Sequence, residues 1–358
     1  MTEARQTVVI LSPAFPENES ATYWVPSQQL LVKALKRNFP QYDFVVLALL
    51  YPYQKFEYRW NDIPVTSYNG ITYPGAKRLL LWWKVWKKLK QLRREKNIAG
   101  ILSFWCMEAA LIGTYFSRRY KLAHYCWVCG QDARPGNRYI KLIRPRAAEL
   151  VAISDFVAAE FFRNHRVQPK HVIPNAIDET LFPPTMNSER DIDILGVGAL
   201  IPLKQFNLLV EIVYKLSELK PGLRVILCGE GEERENLLKL INQRGLQKNI
   251  QLTGAITHEE VLELMQRSKL LLHPSDYEGF STVCLEAIYA GAKVISFVKP
   301  MIQDIKNWLI AKSAEDMRTK ALEILQSPGR YERVTAWTID EAAKKMMQLF
   351  DPPIKGSI

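Results

Sequence analysis

No run of apolar residues in this chain approaches the roughly 20 needed to cross a bilayer as a helix, so a helical membrane-spanning protein is not expected. Cysteine is scarce and odd in number. The five, Cys106, Cys126, Cys129, Cys228 and Cys284, lie inside apolar runs, which suits reduced core thiols and argues against a disulfide framework. Cys126 and Cys129 have the outward spacing of a redox or zinc pair. The run around them reads as a strand, however, where residues three apart face opposite sides, and no second Cys or His pair stands at metal spacing. No metal site is expected. Repeats and low-complexity tracts are absent. The polar first seven residues lead straight into a strand without an apolar leader, from which a cytoplasmic location is expected. Acidic residues are the minority, 37 Asp and Glu against 48 Lys and Arg, and the formal charge of +11 favours a phosphate-bearing partner. No recognisable nucleic-acid-binding module accompanies the basic residues, so nucleic acid is not expected to be that partner.

What is present is the profile of a folded α/β chain: 48% apolar and 24% charged residues over 358 positions, long enough for two domains of about 150 residues each. Short apolar runs alternate with amphipathic stretches throughout, which predicts parallel sheets. In the first half, strands are expected over residues 7–12, 43–50, 98–104, 122–128 and 149–154, with a further short one at 70–74. Helices are expected over 25–37, 107–119 and 155–164. A loop over residues 13–24 follows the first strand.

A long helix is expected from Leu79 to Lys96, with Leu79, Trp82, Trp83, Trp86 and Leu89 on one side and Lys84, Lys87, Lys88 and Arg94 on the other. Two readings of it stand: the aromatic stripe packs on the sheet beneath a solvated basic face, or it contacts a membrane surface. The turn from Cys129 to Arg134 follows a strand and so opens at the carboxyl edge of the sheet, where ligands of α/β proteins bind. Asp132 on it is a ligand-side carboxylate or a structural turn residue. Prolines 174, 183 and 184 mark a domain boundary.

In the second half, strands are expected over 191–198, 223–231, 249–255, 269–273 and 293–297, and helices over 207–219, 314–325 and 339–350. A helix start is expected at residues 257–260, with His258 a surface residue of the cap region. The densest stretch runs from Pro274 to Ser296. A strand ends at Pro274, Gly279 lets the chain turn, Ser281 or Thr282 caps, and a short apolar helix follows until Gly291. A helix N-terminus around Phe280, Ser281 and Thr282 presents backbone N–H groups and the positive end of the helix dipole, a seat for an anion. With a diphosphate seated there, Glu286 lies about one turn inside the helix, within reach of sugar hydroxyls, and Glu278 stays on the turn before it. The alternative for both is a solvated surface carboxylate.

This stretch, E-G-F, a small residue, an apolar spacer, E-A and then G-x-x-V-I, resembles the signature of the GT-B glycosyltransferases of the retaining family 4. The resemblance implies two facing Rossmann-like domains with a cleft between them: an acceptor-binding domain over residues 1–178, closed by a C-terminal helix within 336–358, and a nucleotide-sugar-binding domain over 179–335. It also implies that Glu278 contacts the transferred sugar, that Glu286 binds the ribose, and that Lys204 holds the donor diphosphate. Gly198, Gly229 and Gly254 lie at strand ends on the donor side. The chain departs from the family's pattern at five places, one of them after Phe297, where the family's glycine-rich segment is shortened to V-K-P-M-I-Q-D-I-K-N-W-L-I-A. Ala199 replaces the arginine that accompanies the lysine, Cys129 stands where a histidine precedes Gly130 and Asp132, and Ala176 replaces a glycine. The first loop lacks paired glycines near Ser20 and Ala21.

The activity so implied is hexosyl transfer from a nucleoside diphosphate sugar to a sugar, lipid-linked or other envelope acceptor, with retention and without a metal or other cofactor. Peripheral contact with the inner face of a membrane through Leu79 to Lys96 is compatible with it. The other readings are a non-catalytic nucleotide-sugar-binding protein of the same fold and a nucleotide-sugar epimerase.

Overall fold

The computed structural model describes residues 5–21, 25–184, 189–327 and 329–351, so the end of the first loop, residues 22–24, lies outside the described residues. The chain divides into two compact units, residues 1–175 with 339–358, and residues 176–338.

The first unit is an eight-stranded sheet: β1 (Gln6–Ala14), β2 (Tyr42–Tyr51), β3 (Glu57–Trp60), β4 (Ile63–Ser67), β5 (Asn97–Phe104), β6 (Ala123–Val128), β7 (Leu150–Ala152) and β8 (His171–Val172). Their order is β3-β4-β2-β1-β5-β6-β7-β8, and every pairing is parallel except β3 with β4. Val8, Val9, Ile10 and Leu11 are all fully buried, because helices cover both faces of the central strand. The helices are α1 (Pro26–Asn38), α2 (Arg78–Glu95), α3 (Glu108–Tyr120), α4 (Gly130–Ala133), α5 (Arg138–Ile143) and α6 (Asp155–His165).

Three local expectations change. Residues 70–72 form a 3₁₀ turn instead of a strand. A Cβ at Gly70 would lie 2.4 Å from the Leu49 carbonyl oxygen, so the chain turns where only glycine can approach. The β3–β4 hairpin was not anticipated; its two-residue loop, Asn61 and Asp62, has positive φ at both positions, as the tight hairpin turn requires. On α2 the core face is Leu81, Val85, Leu89 and Leu92, so the expectation that the aromatic stripe packs on the sheet is wrong for Leu79 and Trp83, which are exposed. Trp82 and Trp86 lie at the flank, where Trp86 meets Phe116 of α3 edge-on at 5.0 Å. The aliphatic residues recur at i, i+4, i+8 and i+11, and that row follows the helix ridge facing the sheet.

The second unit is a six-stranded parallel sheet: β9 (Ile192–Val197), β10 (Val225–Cys228), β11 (Ile250–Gly254), β12 (Ser268–His273), β13 (Lys293–Ser296) and β14 (Trp308–Ile310), in the order β11-β10-β9-β12-β13-β14. Its helices are α7 (Phe206–Ser217), α8 (Arg234–Gln243), α9 (His258–Arg267), α10 (Thr282–Tyr289) and α11 (Ala314–Gln326). Ile194, Leu270, Leu272 and Ile295 of the sheet pack with Leu209, Val213 and Leu216 of α7 in one core. Strand order reverses at β9, since the chain goes to β10 and β11 on one side and to β12, β13 and β14 on the other. The carboxyl ends of β9 and β12 are neighbours at this reversal, the position in an open α/β sheet where ligands usually bind.

The last helix, α12 (Ile339–Phe350), belongs to the first unit and packs on α1, where Asp340 accepts from Arg37 at 2.5 Å and from Asn38 at 2.6 Å. Phe350 closes over Gly100, whose missing side chain makes room for the ring, and meets Tyr125 edge-on at 5.0 Å. Helices α5 and α8 and strand β14 were not read in the sequence, being short or weakly apolar.

Candidate active site

At the reversal point of the second sheet the strand exits are held together by main-chain contacts. Gly198 N–H donates to the Cys228 carbonyl at 3.0 Å, Gly229 N–H to the Gly254 carbonyl at 2.9 Å, and Leu200 N–H to the Glu230 carbonyl at 2.9 Å. The glycines allow this approach. Gly229 has φ +146°, and a Cβ there would lie 1.9 Å from the Gly198 carbonyl oxygen. Gly254 has φ +77°. The sequence placed Gly198, Gly229 and Gly254 at strand ends on the donor side, and the three sit side by side at the ends of β9, β10 and β11.

After β9 the chain makes a 3₁₀ turn, Pro202–Lys204, and after β12 it runs through Pro274 to Gly279. Asp276 N–H donates to the Leu203 carbonyl at 3.3 Å, which fastens one loop to the other. This brings Lys204 and Glu278, 74 residues apart in sequence, to 2.5 Å. His273 Nε2 lies 3.2 Å from Glu278 Oε2 and 3.2 Å from the Ser275 hydroxyl. Burial by itself would raise the Glu278 carboxyl, but the His273 hydrogen bond and the Lys204 charge more than offset it and hold the group down at about 2. His273 is buried and held below its ordinary value, first by that burial, so at neutral pH it is a neutral ring. The alternative reading of Glu278 as a solvated turn residue does not hold.

Helix α10 begins where the sequence suggested. Ser281 caps it, its hydroxyl accepting from Cys284 N–H at 3.3 Å, and Thr282 is its first residue. Gly279 is buried, as is Phe280, whose ring packs against Trp308 at 6.0 Å and Trp337 at 5.6 Å. The aromatic side chain therefore anchors the tip beside the α10 N-terminus. Glu286, one turn into the helix, is buried and accepts from His258 Nε2 at 2.8 Å. His258 is the first residue of α9, in the cap region as read, but its half-exposed ring is turned onto Glu286. The hydrogen bond from its ring to Glu286 raises its pKa above the ordinary value.

Neither histidine contact could be read locally. His258 lies 28 residues before Glu286, and the two meet because α9 and α10 both start at the carboxyl edge of the sheet. His273 sits on a strand that reads simply as apolar.

In the first unit, Asp132 is fully buried on the four-residue α4, where its Oδ2 accepts from Cys129 N–H at 2.8 Å and closes a capping box. The Asp132 carbonyl oxygen also contacts His165 Nε2 at 3.1 Å. Burial lifts the Asp132 carboxyl to about 7, with the Cys129 and Cys106 backbone amides acting in the opposite direction. An acid whose folded value lies above its unfolded one binds its proton better when folded. Stability from this group is therefore lost as pH rises from about 4 to about 7. Asp132→Asn keeps an acceptor for Cys129 N–H and removes the charge. The expected outcome is a shallower fall in thermal midpoint between those pH values than in the parent chain, read by unfolding scans across pH.

All five cysteines are free thiols, and among the described residues no group of three or more His, Cys, Asp or Glu is placed to hold a metal ion.

Residues 178–336 match the sequence profile described as Glycosyl transferases group 1. Among curated relatives, the phosphatidylinositol N-acetylglucosaminyltransferase gpi3 subunit of Schizosaccharomyces pombe is 26% identical over 203 residues, 55% of this chain and 44% of that protein. The phosphatidylinositol N-acetylglucosaminyltransferase GPI3 subunit of Saccharomyces cerevisiae is 29% identical over 133 residues, 35% of this chain and 29% of that protein. The chain thus spans less than half the length of these relatives. Among solved structures, a glycosyltransferase from Rickettsia africae superposes with a TM-score of 0.74 at 14% identity, covering 98% of this chain and 100% of that one. Sucrose-phosphate synthase from Thermosynechococcus elongatus does so at 0.71 and 17% identity, covering 97% and 98%. Both likenesses concern the fold. Residues 178–336 are thus similar to the glycosyl transferases group 1 profile, on a chain built from two parallel-sheet, Rossmann-like units that share the GT-B fold of these structures.

Proposed function

We propose that the chain is a glycosyltransferase of the retaining family 4 type, moving a hexosyl group from a nucleoside diphosphate sugar held by the second unit. The observation that carries this is the meeting of Lys204, Glu278 and the α10 N-terminus at the strand-order reversal, with the Glu286–His258 pair one helical turn further in. Departure of a nucleoside diphosphate builds negative charge on the leaving oxygens as the anomeric carbon becomes cationic. Lys204 spends one of its three ammonium donors on Glu278, which leaves two for phosphate oxygens. The α10 dipole adds partial positive charge on the same side. In this reading the two supply the stabilisation without a metal ion. Glu278, ionised across the physiological range, accepts hydroxyl hydrogen bonds from the transferred sugar and faces the developing positive charge. Glu286 accepts from the ribose, and His258 fixes its orientation. The acceptor in this reading is a sugar or lipid-borne hydroxyl, in keeping with the relatives named for phosphatidylinositol.

A second reading, donor binding without transfer, is favoured by one observation: at Ala199 an exposed methyl stands where the family places a cation.

A thermal-shift screen of nucleoside diphosphates and nucleotide sugars tests the donor site. A ligand at 100 times its Kd stabilises the folded state by about 2.7 kcal/mol. Glu286→Ala should abolish that shift with the fold intact, since His258 is a half-exposed ring that needs no partner when neutral. A shift that survives the substitution removes Glu286 from the site. Product formation with an added acceptor separates transfer from binding alone, and epimerised donor without acceptor would instead mark an epimerase.

A further inference from the structure

The first unit carries a surface that the donor chemistry does not use. Helices α2, α3 and α5 meet around an apolar groove floored by Trp82, Trp86, Leu111 and Ile112. At and beyond its rim Leu79, Leu80, Trp83, Tyr115 and Leu142 are each 50 to 61% exposed. They are five of the twelve large apolar side chains exposed among the described residues, so exposure here is a patch and not scatter. Leu79, Trp82, Trp83 and Trp86 recur at i, i+3, i+4 and i+7, so one stripe runs from solvent into the groove.

The segments that carry the patch are strongly basic, although Lys88, Lys96 and Arg118 pair with Glu57, Asp43 and Glu149 of neighbouring segments. Residues 77–96, 108–121 and 134–146, which contain these helices, hold seventeen of the chain's 48 Lys and Arg and two of its 37 Asp and Glu. That is a formal +15, which leaves −4 for the remainder of the chain. One of the two acids, Glu108, is buried and paired with Arg78 at 2.8 Å. Lys87 lies over the Trp83 ring, 5.5 Å from its centre. On α5, Leu142 lines the apolar groove, while Arg138, Lys141 and Arg144 line a neighbouring cavity with His165 and Arg166 and no carboxylate.

An apolar stripe bearing tryptophan and ringed by cations fits the boundary between acyl chains and anionic headgroups. A nucleic acid would leave the stripe in water. A second copy of this chain would set +15 against +15. We propose that α2, α3 and α5 form a docking face for an anionic phospholipid bilayer. Leu79, Trp83 and Leu142 enter the acyl boundary, and the surrounding Lys and Arg bind lipid phosphates. The described helices include none long and apolar enough to cross a membrane, so the attachment is to one surface.

Co-sedimentation of the full chain with vesicles tests this, using phosphatidylcholine alone and phosphatidylcholine mixed with phosphatidylglycerol. Binding is expected with the anionic vesicles at low salt, with a blue shift of tryptophan emission, and is expected to fall as salt screens the lysines. The exposed double variant Leu79→Ser, Trp83→Ala should weaken binding on the order of tenfold. Lys87→Glu with Lys90→Glu should do so by about tenfold or more. Thermal scans confirm that each variant is folded. Failure to bind anionic vesicles at low salt overturns the proposal. So does binding that the Leu79, Trp83 variant leaves intact, which would mean diffuse charge attraction. A dimer in sedimentation that Trp83→Ala dissolves would assign the face to a second copy. None of these outcomes bears on the donor-induced thermal shift.

Discussion

Lys204→Met is expected to reduce sugar transfer by on the order of 10²- to 10³-fold, the loss typical when a preorganised charge-stabilising group is removed. The substitution keeps the aliphatic stem and deletes the ammonium that sits 2.5 Å from Glu278. It therefore also has a stability effect. The two side chains are 19% and 22% exposed, so the orphaned carboxylate costs about 2 kcal/mol, less than for a fully dry pair.

The effect depends on pH, and the sign follows from Glu278. Its folded value of about 2 lies below the ordinary 4.5, so its contribution is present above about 4.5 and is lost as pH falls towards 2. His273 is also depressed, so acid below about 6.5 protonates it more readily in the unfolded chain and acts in the same direction. In Lys204→Met the Glu278 contribution shrinks, and the acid limb of the stability curve becomes shallower.

The double variant Lys204→Met, Glu278→Gln separates the two roles, because it leaves no unpaired charge. Its thermal midpoint should return towards that of the parent chain while transfer stays lost. Should transfer return along with stability, the pair is a structural clamp and the phosphate role is wrong.

Gly229→Ala is expected to destabilise the second unit by about 4 kcal/mol or more, the sum of positive-φ strain and overpacking. For a unit of this size that corresponds to a fall of about 10 °C in thermal midpoint. The new Cβ would lie 1.9 Å from the Gly198 carbonyl oxygen and 2.9 Å from its carbon, with φ at +146°. A side chain could rotate away, but backbone cannot. Gly229 N–H is bonded to the Gly254 carbonyl, and Gly198 N–H to that of Cys228. Movement of either loop would break a contact at the reversal point and shift Lys204, which hangs from the loop after Gly198. A control is at hand in Gly222, where a Cβ meets nothing within 4 Å and φ is not left-handed. Gly222→Ala should change stability by less than about 1 kcal/mol, in the stabilising direction, by restricting the unfolded chain. Thermal unfolding of the three proteins side by side reads both. Equal midpoints for Gly229→Ala and the parent would mean that the strand exits are not locked together.

Much of the fold was legible because it rests on local pattern. Apolar runs bounded by glycine and proline gave β9, β12 and β13, and amphipathic spacing gave α7, α11 and α12. Patterns that depend on a few residues were missed: the Asn61–Asp62 hairpin, the six-residue α5 and the three-residue β14. The wide face of α2 misled, since tryptophan is the most apolar-looking residue on it, yet the narrower aliphatic row is what the sheet accepts.

The sequence by itself determined the alternation of strands and helices, a helix start at Ser281 or Thr282 and the position of Glu286 one turn inside it. These are properties of chain spacing and do not depend on neighbours. Only the tertiary structure decided that Lys204 faces Glu278, that His258 turns onto Glu286 and that Phe280 is an anchor between two tryptophans. The two side-chain pairs join segments 28 and 74 residues apart, and they exist because parallel strands deliver successive loops to one edge of the sheet. Sheet order in turn is set by which faces can be buried together, a choice made by the whole unit and carried by no single stretch of chain.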